Sequence, residues 1–333
     1  MKERYFRTGS LLLDLVVGGG IDLGFPAGKI INIVGDKSSG KTFLACEIVA
    51  NAYHTYKDKV KFIYDDAESG FGFNTKNLYG FDIEEFKIRS KTVEELFCNV
   101  KDFINKIKKD EVGIYVLDSL DGLSSSQLIE IGEERYKLFK QDKEYDKGSY
   151  QMEFAKFLSQ EFFRNLTSEI DEKNILLIII SQIRTDVSLM SFRKWTRAGG
   201  KALDFYAHTV LWLKSLRTIE KKGADIGVII QARTEKSKTP RPYRQCLFPI
   251  YFNYGIDDIG SCIDYLYNLR SDKTGELNSK KEKIKFDDKE FTRDELIKFI
   301  EENDLIDGLK QMVINNWEQE EKERLIDRRK KYE

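Results

Sequence analysis

The chain has 333 residues, 41% apolar and 33% charged, which allows a large buried core and excludes general disorder. Lys and Arg total 55 against 56 Asp and Glu, so no whole-molecule field draws it to nucleic acid and any such surface must be a local patch. Cys46, Cys98, Cys246 and Cys262 lack metal-ligand spacing and only two histidines occur, which disfavours structural zinc and fits a reduced cytosolic setting; no apolar run of about 18 residues reads as a membrane span.

Taken in chain order, KIINIVG (29–35) reads as a buried strand that enters GDKSSGKT, and a helix is expected from Thr42 to about His54. Further β-rich runs follow at VKFIYDD (60–66), VGIYVLDS (112–119) and NILLIIISQ (174–182), with helix-like stretches between them. In one of these stretches Phe154, Leu158 and Phe162 recur at helical spacing. This alternation predicts an α/β fold with βα crossovers and a parallel sheet. HTVLWLKSL (208–216), IGVIIQAR (226–233) and QCLFPIYFN (245–253) lie too close together for more crossover helices, so they predict antiparallel strands on one edge. Charge density rises near Arg270, and FTRDEL offers Thr292 as N-cap, Glu295 as its capping-box partner and a Phe291–Leu296 staple. We therefore expect a core over 1–265 and a small charged C-terminal domain over 266–333.

GDKSSGKT, following a strand and preceding a helix, has the GxxxxGK[ST] pattern of a phosphate-binding loop. Gly35, Asp36, Lys37, Ser38, Ser39 and Gly40 would present backbone N–H groups to phosphate oxygens, Lys41 would reach the β/γ phosphates and Thr42 would ligate Mg²⁺. The loop alone does not separate ATP from GTP. Asp118, at the end of IYVLDS, is positioned to hold the magnesium or its water; Ser119 either assists that hydration shell or caps the turn. Glu68, after FIYDDA, can orient a water and accept its proton, with Asp65 and Asp66 as competitors. Gln182, at the end of ILLIIIS, can hydrogen-bond a γ-phosphate and transmit its loss to the next loop.

That loop is locally basic. Arg184, Arg193, Lys194, Arg197 and Lys201 stand against a single acid, Asp186, over 184–201, with Phe192 and Trp195 interleaved and Gly199 and Gly200 at its end. Cations for phosphates, aromatics for bases and glycines for close approach are what a single-strand-binding loop near 184–200 requires.

At this point the sequence resembles the RecA family of homologous-recombination ATPases. FRTGSLLLDLVVGGG with FPAGKIINIVGDKSSGKT resembles the family's approach to its phosphate loop, FIYDDAESG its catalytic-glutamate segment, and YVLDSLDGL its magnesium-binding strand. SQIRTDVSLMSFRKWTRAGGKALDFYA resembles its nucleotide-sensing glutamine and second DNA-binding loop. The resemblance covers residues 7–270. It implies a RecA-like P-loop ATPase core, with a mostly parallel central sheet, antiparallel edge strands and a small C-terminal α/β domain. It also implies ATP and Mg²⁺ as cofactors and the catalytic-base role for Glu68. EKSKTPRPYRQCLF resembles the segment whose two lysines reach a neighbouring subunit's ATP, a role that falls here on Lys236 and Lys238.

The implied activity is a DNA-dependent ATPase that forms helical filaments on single-stranded DNA and promotes pairing and strand exchange with homologous double-stranded DNA, in recombination and repair. Single-strand-binding or mediator proteins are the further partners it implies, and no membrane. A first DNA-binding loop would fall inside 124–150, where Lys137, Lys140, Lys143 and Lys147 are candidates, although a solvated helix explains them equally well. Two departures stand out. The family's N-terminal docking element has almost no counterpart before residue 7, and its adenine-stacking tyrosine matches Thr75, leaving Phe71 or Phe73 for base contact. These departures resemble a divergent, viral recombinase, which implies the cytoplasm, or the host cytoplasm if viral. A ring-forming DNA helicase motor and a non-enzymatic recombination mediator are the competing readings.

Overall fold

The computed structural model describes residues 4–19, 23–141, 151–185, 195–197, 199–239, 241–278 and 283–329. After helix α1 (Leu11–Gly18) come strand β1 (Ile30–Gly35), helix α2 (Lys41–Tyr56), β2 (Val60–Asp66) and the short β3 (Lys87–Ile88). Then follow α3 (Val93–Lys106), β4 (Val112–Asp118), α4 (Ser126–Lys140), α5 (Phe163–Glu172) and β5 (Ile175–Gln182). Later elements include α6 (Gly200–Tyr206), β6 (Thr209–Lys221), β7 (Ala224–Ser237), β8 (Gln245–Tyr251), β9 (Gly255–Ile256), α7 (Asp258–Leu266), α8 (Arg293–Glu302) and α9 (Ile306–Glu323), with a short antiparallel pair, Ile284–Phe286 and Lys289–Phe291, before α8.

Nine strands form one sheet in the order β9-β8-β7-β6-β1-β5-β4-β2-β3. The strands from β6 through β1, β5, β4 and β2 to β3 pair in parallel, while β7, β8 and β9 add antiparallel on one edge. The first of the three late runs therefore joins β1 in parallel, and the antiparallel edge starts one strand later than the run spacing implied. Alternate side chains of β5 divide between two layers. Leu176, Ile178 and Ile180 face the cluster containing α1 and α2, whereas Ile175, Leu177 and Ile179 face that containing α3 and α5. Burial on both faces is why these strands read as unbroken apolar runs.

The helix expected around Phe154 begins at Gln151 but passes through a π-helical stretch, Leu158–Phe162, before α5. Phe162 closes this stretch and Phe163 opens α5, and both are buried. At α8 the capping box forms, with Glu295 N donating to Thr292 Oγ1 and Thr292 N to Glu295 Oε2. Leu296, Ile300, Leu309, Val313 and Trp317 of this tail join the same buried cluster as Ile31 and Ile33 of the sheet, so the tail packs as a continuation of one core.

The approach to the phosphate loop is pinned by a buried carboxyl. Asp14 Oδ1 accepts from Thr8 N at 2.7 Å and Thr8 Oγ1 at 2.8 Å, and burial pushes its pKa up to about 7. The folded state thus holds a proton that the unfolded chain, at about 3.8, has lost. This contribution is complete below the lower value and is lost as pH rises through the upper one. Asp14→Asn keeps an acceptor for Thr8 but does not titrate. Denaturant unfolding from pH 4 to 7.5 should show the wild type losing on the order of a few kcal/mol relative to the variant. Parallel stability curves would contradict the assignment.

Candidate nucleotide site and its neighbouring loop

Parallel register brings the chemistry-bearing residues to one edge. Gly35 pairs with Gln182, and Asp66 with Asp118, so the strand ends of β1, β5, β4 and β2 lie side by side. The turn from Gly35 into α2 needs its glycines: Gly40 has φ +81°, and a Cβ on Gly35 would come within 2.3 Å of Ser39 Oγ. No side chain caps the N-terminus of α2, leaving first-turn amides open to an anion. Ser39 Oγ is buried with no protein partner in the same loop. Lys41, 9% exposed, donates to Gly35 O at 3.0 Å and Asp36 O at 2.6 Å. Burial lowers its pKa, opposed by Asp118 and Glu68. Open amides, an unpartnered hydroxyl and an ammonium folded into the loop fit a polyphosphate.

Behind the loop, Thr42 Oγ1 donates to Asp118 Oδ2 at 2.7 Å. Tyr64 OH, a residue that sequence reasoning passed over, donates to the same oxygen at 2.7 Å. Desolvation raises the Asp118 pKa, while these two bonds lower it. Among the described residues no group of three or more His, Cys, Asp or Glu could hold a metal ion. The Thr42–Asp118 pair is instead the partial oxygen set that suits Mg²⁺ completed by phosphate oxygens and water.

The three acidic candidates on β2 and its turn separate by environment. Asp65 is buried, accepting from Ser90 N at 2.7 Å, Ser90 Oγ at 2.5 Å and Tyr115 OH at 2.6 Å. Asp66 accepts from Gly70 N and Phe71 N and shapes the turn. Glu68 is exposed, and its carboxylate accepts from Gln182 Nε2 at 2.9 and 3.2 Å and from Ser119 Oγ. Ser119 thus orients Glu68. Gln182 N donates to Asp121 Oδ2 at 2.8 Å, a second contact that the sequence did not single out, although Asp121 lies only three residues beyond Asp118. Thr75 is 1% exposed, and its Oγ1 accepts from Ile83 N, while Phe71 and Phe73 pack edge-on or tilted against Tyr64 and Phe43.

Two residues past Gln182 the basic loop starts from a short antiparallel stem, Arg184 opposite Thr196 and Thr185 opposite Trp195. Phe192, Arg193 and Lys194 lie outside the described residues. Arg197 places its guanidinium on Asp204 of α6, its side chain 10% exposed, rather than displaying it to solvent. Gly199, φ +83°, starts α6; a Cβ there would meet Leu120 Cδ2 at 2.8 Å and Leu203 Cβ at 2.9 Å. The loop's exit therefore packs on the turn that follows Asp118, where no larger residue fits. Gly200, φ +47°, faces open space.

Lys236 and Lys238 are not gathered into this cluster. Lys236 pairs with Val210, which pairs with Asn32 of β1, whereas Gly35 lies opposite Leu213, about 10 Å further along the strand. Lys236 Nζ donates to Asp204 O at 2.5 Å and Phe205 O at 2.9 Å, closing the C-terminal turn of α6. Burial and Lys238 lower its pKa. Lys238 is exposed just beyond β7. α6 accordingly spans from the Asp118 turn at one end to Lys236 at the other.

Comparison with known proteins agrees with this architecture. Residues 2–257 match the RecA N-terminal domain. Protein RecA of a Nitratiruptor species is 32% identical over 259 residues, covering 78% of this chain and 69% of that protein. Protein RecA of Arthrospira platensis is 28% identical over 305 residues, covering 91% and 76%, and that of Trichodesmium erythraeum (strain IMS101) 29% over 264 residues, covering 79% and 67%. A phosphate-loop edge assembled by parallel strands, together with a match over most of its length, makes this chain a member of the RecA family of homologous-recombination ATPases.

Proposed function

We propose that the protein is an ATP- and Mg²⁺-dependent recombinase that assembles on single-stranded DNA as a helical filament, pairs it with homologous duplex and acts in the cytoplasm. The observation that carries this reading is the Glu68–Gln182 hydrogen bond, because it joins the carboxylate suited to hydrolysis to the residue that opens the basic loop. Bound ATP would supply the transferable phosphoryl group. Gly35–Thr42 hold the phosphates, Lys41 offsets their charge, and Thr42 and Asp118 hold the magnesium. Glu68, held by Ser119 and Gln182, orients a water and takes its proton on the carboxylate. Exchange of Gln182 between Glu68 and a phosphate oxygen would shift the stem at Arg184–Thr185, which is how nucleotide state would alter grip on DNA.

The sheet register supports a trans role for Lys236 and Lys238, since both stand toward the opposite end of the strands from their own phosphate loop. A neighbour's nucleotide is then their natural target, with Lys236 leaving the α6 carbonyls to reach it. The convergence of Lys41, Thr42, Glu68, Asp118 and Gln182 on one edge supports an ATPase over a mediator without ATPase activity.

Lys41→Ala is expected to abolish productive nucleotide binding or hydrolysis. Glu68→Gln should retain nucleotide binding and slow turnover roughly 10²–10⁴-fold, read by nucleotide titration and phosphate release. Near-normal hydrolysis by Glu68→Gln would remove it as the base.

The paired Lys236→Ala/Lys238→Ala protein should stay folded and lose DNA-stimulated hydrolysis. Mixed with Lys41→Ala, it should regain part of that activity, because an intact loop from one chain then meets intact lysines from the other. Two inactive pure proteins that both assemble on DNA, yet recover nothing at any mixing ratio, would refute the trans assignment.

A further inference from the structure

The two carboxylate oxygens of Asp118, at the end of β4, are not in the same situation. Oδ2 accepts from Thr42 Oγ1 and from Tyr64 OH, both at 2.7 Å, which uses both lone pairs of that atom. Among the described residues nothing donates to Oδ1, so this oxygen is left for a cation or its water. Thr42 comes from the phosphate-binding loop. Tyr64 comes from β2, is 1% exposed, and has its ring tilted against Phe71 at 4.7 Å. Phenylalanine would fill the same space. What tyrosine adds is one charge-assisted bond to one carboxylate.

A second buried phenol in the next strand shows the same bond made for structure alone. Tyr115 donates to Asp65 Oδ2 at 2.6 Å, and Ser90 supplies Asp65 with two more donors, N to Oδ1 and Oγ to Oδ2. Both oxygens of Asp65 are thus occupied by the protein, and its carboxylate has nothing to offer a ligand. Asp118 has one oxygen fixed and the other uncommitted. Donors that orient a metal-binding carboxylate are worth about 10–100-fold in metal affinity or activity.

We propose that Tyr64 is a positioning residue for the metal site, its hydroxyl holding the Asp118 carboxylate so that Oδ1 is the oxygen offered to magnesium or its water. The inference rests on the magnesium role given above to Thr42 and Asp118. It does not depend on the assignment of the base.

The test uses the full chain and a fluorescent, non-hydrolysable ATP analogue, titrated in excess Mg²⁺ and again in EDTA. The difference between the two affinities is the gain that magnesium brings. Tyr64→Phe should reduce this gain about tenfold, with affinity in EDTA and the circular dichroism spectrum unchanged. Tyr115→Phe, which removes the matching bond from Asp65, should leave the gain at its wild-type value. In an Asp118→Asn background, Tyr64→Phe should cause no further loss, because the phenol acts through that carboxylate. A wild-type gain in Tyr64→Phe would overturn the proposal while leaving the magnesium role of Asp118 intact. An equal loss in Tyr115→Phe, or a further loss in the Asp118→Asn background, would overturn it too. If Thr42→Ala and Asp118→Asn both keep the full gain, the magnesium reading itself fails and the role of Tyr64 falls with it.

Discussion

Parallel pairing of β1, β5, β4 and β2 is the constraint on which the rest of the molecule depends. Parallel strands all end at the same edge, so the residues that terminate them converge without any long-range search. Gly35, Gln182, Asp118 and Asp66 become neighbours by register alone. A one-residue slip would move each side chain to the other face and dismantle the cluster. β1, β4 and β5 are buried almost throughout and are mostly aliphatic, whereas β2, nearer the sheet edge, exposes Lys61 and carries Phe62 and Tyr64.

This edge also carries the connections to the basic loop. Gln182 bonds Glu68 through its side chain and Asp121 through its backbone, and the following residue, Ile183, donates to Gly35 O at 3.4 Å. Gly199 packs the far end of the basic loop on Leu120, next to the same turn. Both ends of the loop are therefore tied to the edge that carries the Gly35–Thr42 loop. Helix α6 continues from Gly199 to the carbonyls held by Lys236, so a shift at the loop has a direct mechanical route to the lysine end of β7. These are contacts of one state, and they define the element whose two arrangements the nucleotide would bias.

Much of this is legible in the sequence because it is local. GDKSSGKT carries its own turn chemistry, buried parallel strands announce themselves as apolar runs, and Thr292 with Glu295 spells a capping box. Illegible features are those decided by partners far away in the chain. Asp65, Asp66 and Glu68 look interchangeable in a string, yet Ser90 and Tyr115 claim the first, loop amides the second, and only Glu68 is left for Gln182. Tyr64 and Asp118 lie 54 residues apart, and nothing in either neighbourhood indicates that they bond. Arg197 reads as one more cation of the basic loop, and only the fold brings it to Asp204. The charged tail reads as a separate unit because its apolar residues are sparse, and only packing reveals that Trp317 and Val313 extend the main core.

The central claim is that the nucleotide edge and the lysine end of β7 meet across two copies of the chain in an open assembly. Electron microscopy of the protein on single-stranded DNA, with a non-hydrolysable ATP analogue and Mg²⁺, tests it most directly. The account predicts continuous helical filaments in which the Lys236 and Lys238 end of one subunit lies over the Gly35–Thr42 loop of the next. Closed rings, or isolated particles at saturating nucleotide and DNA, would contradict it.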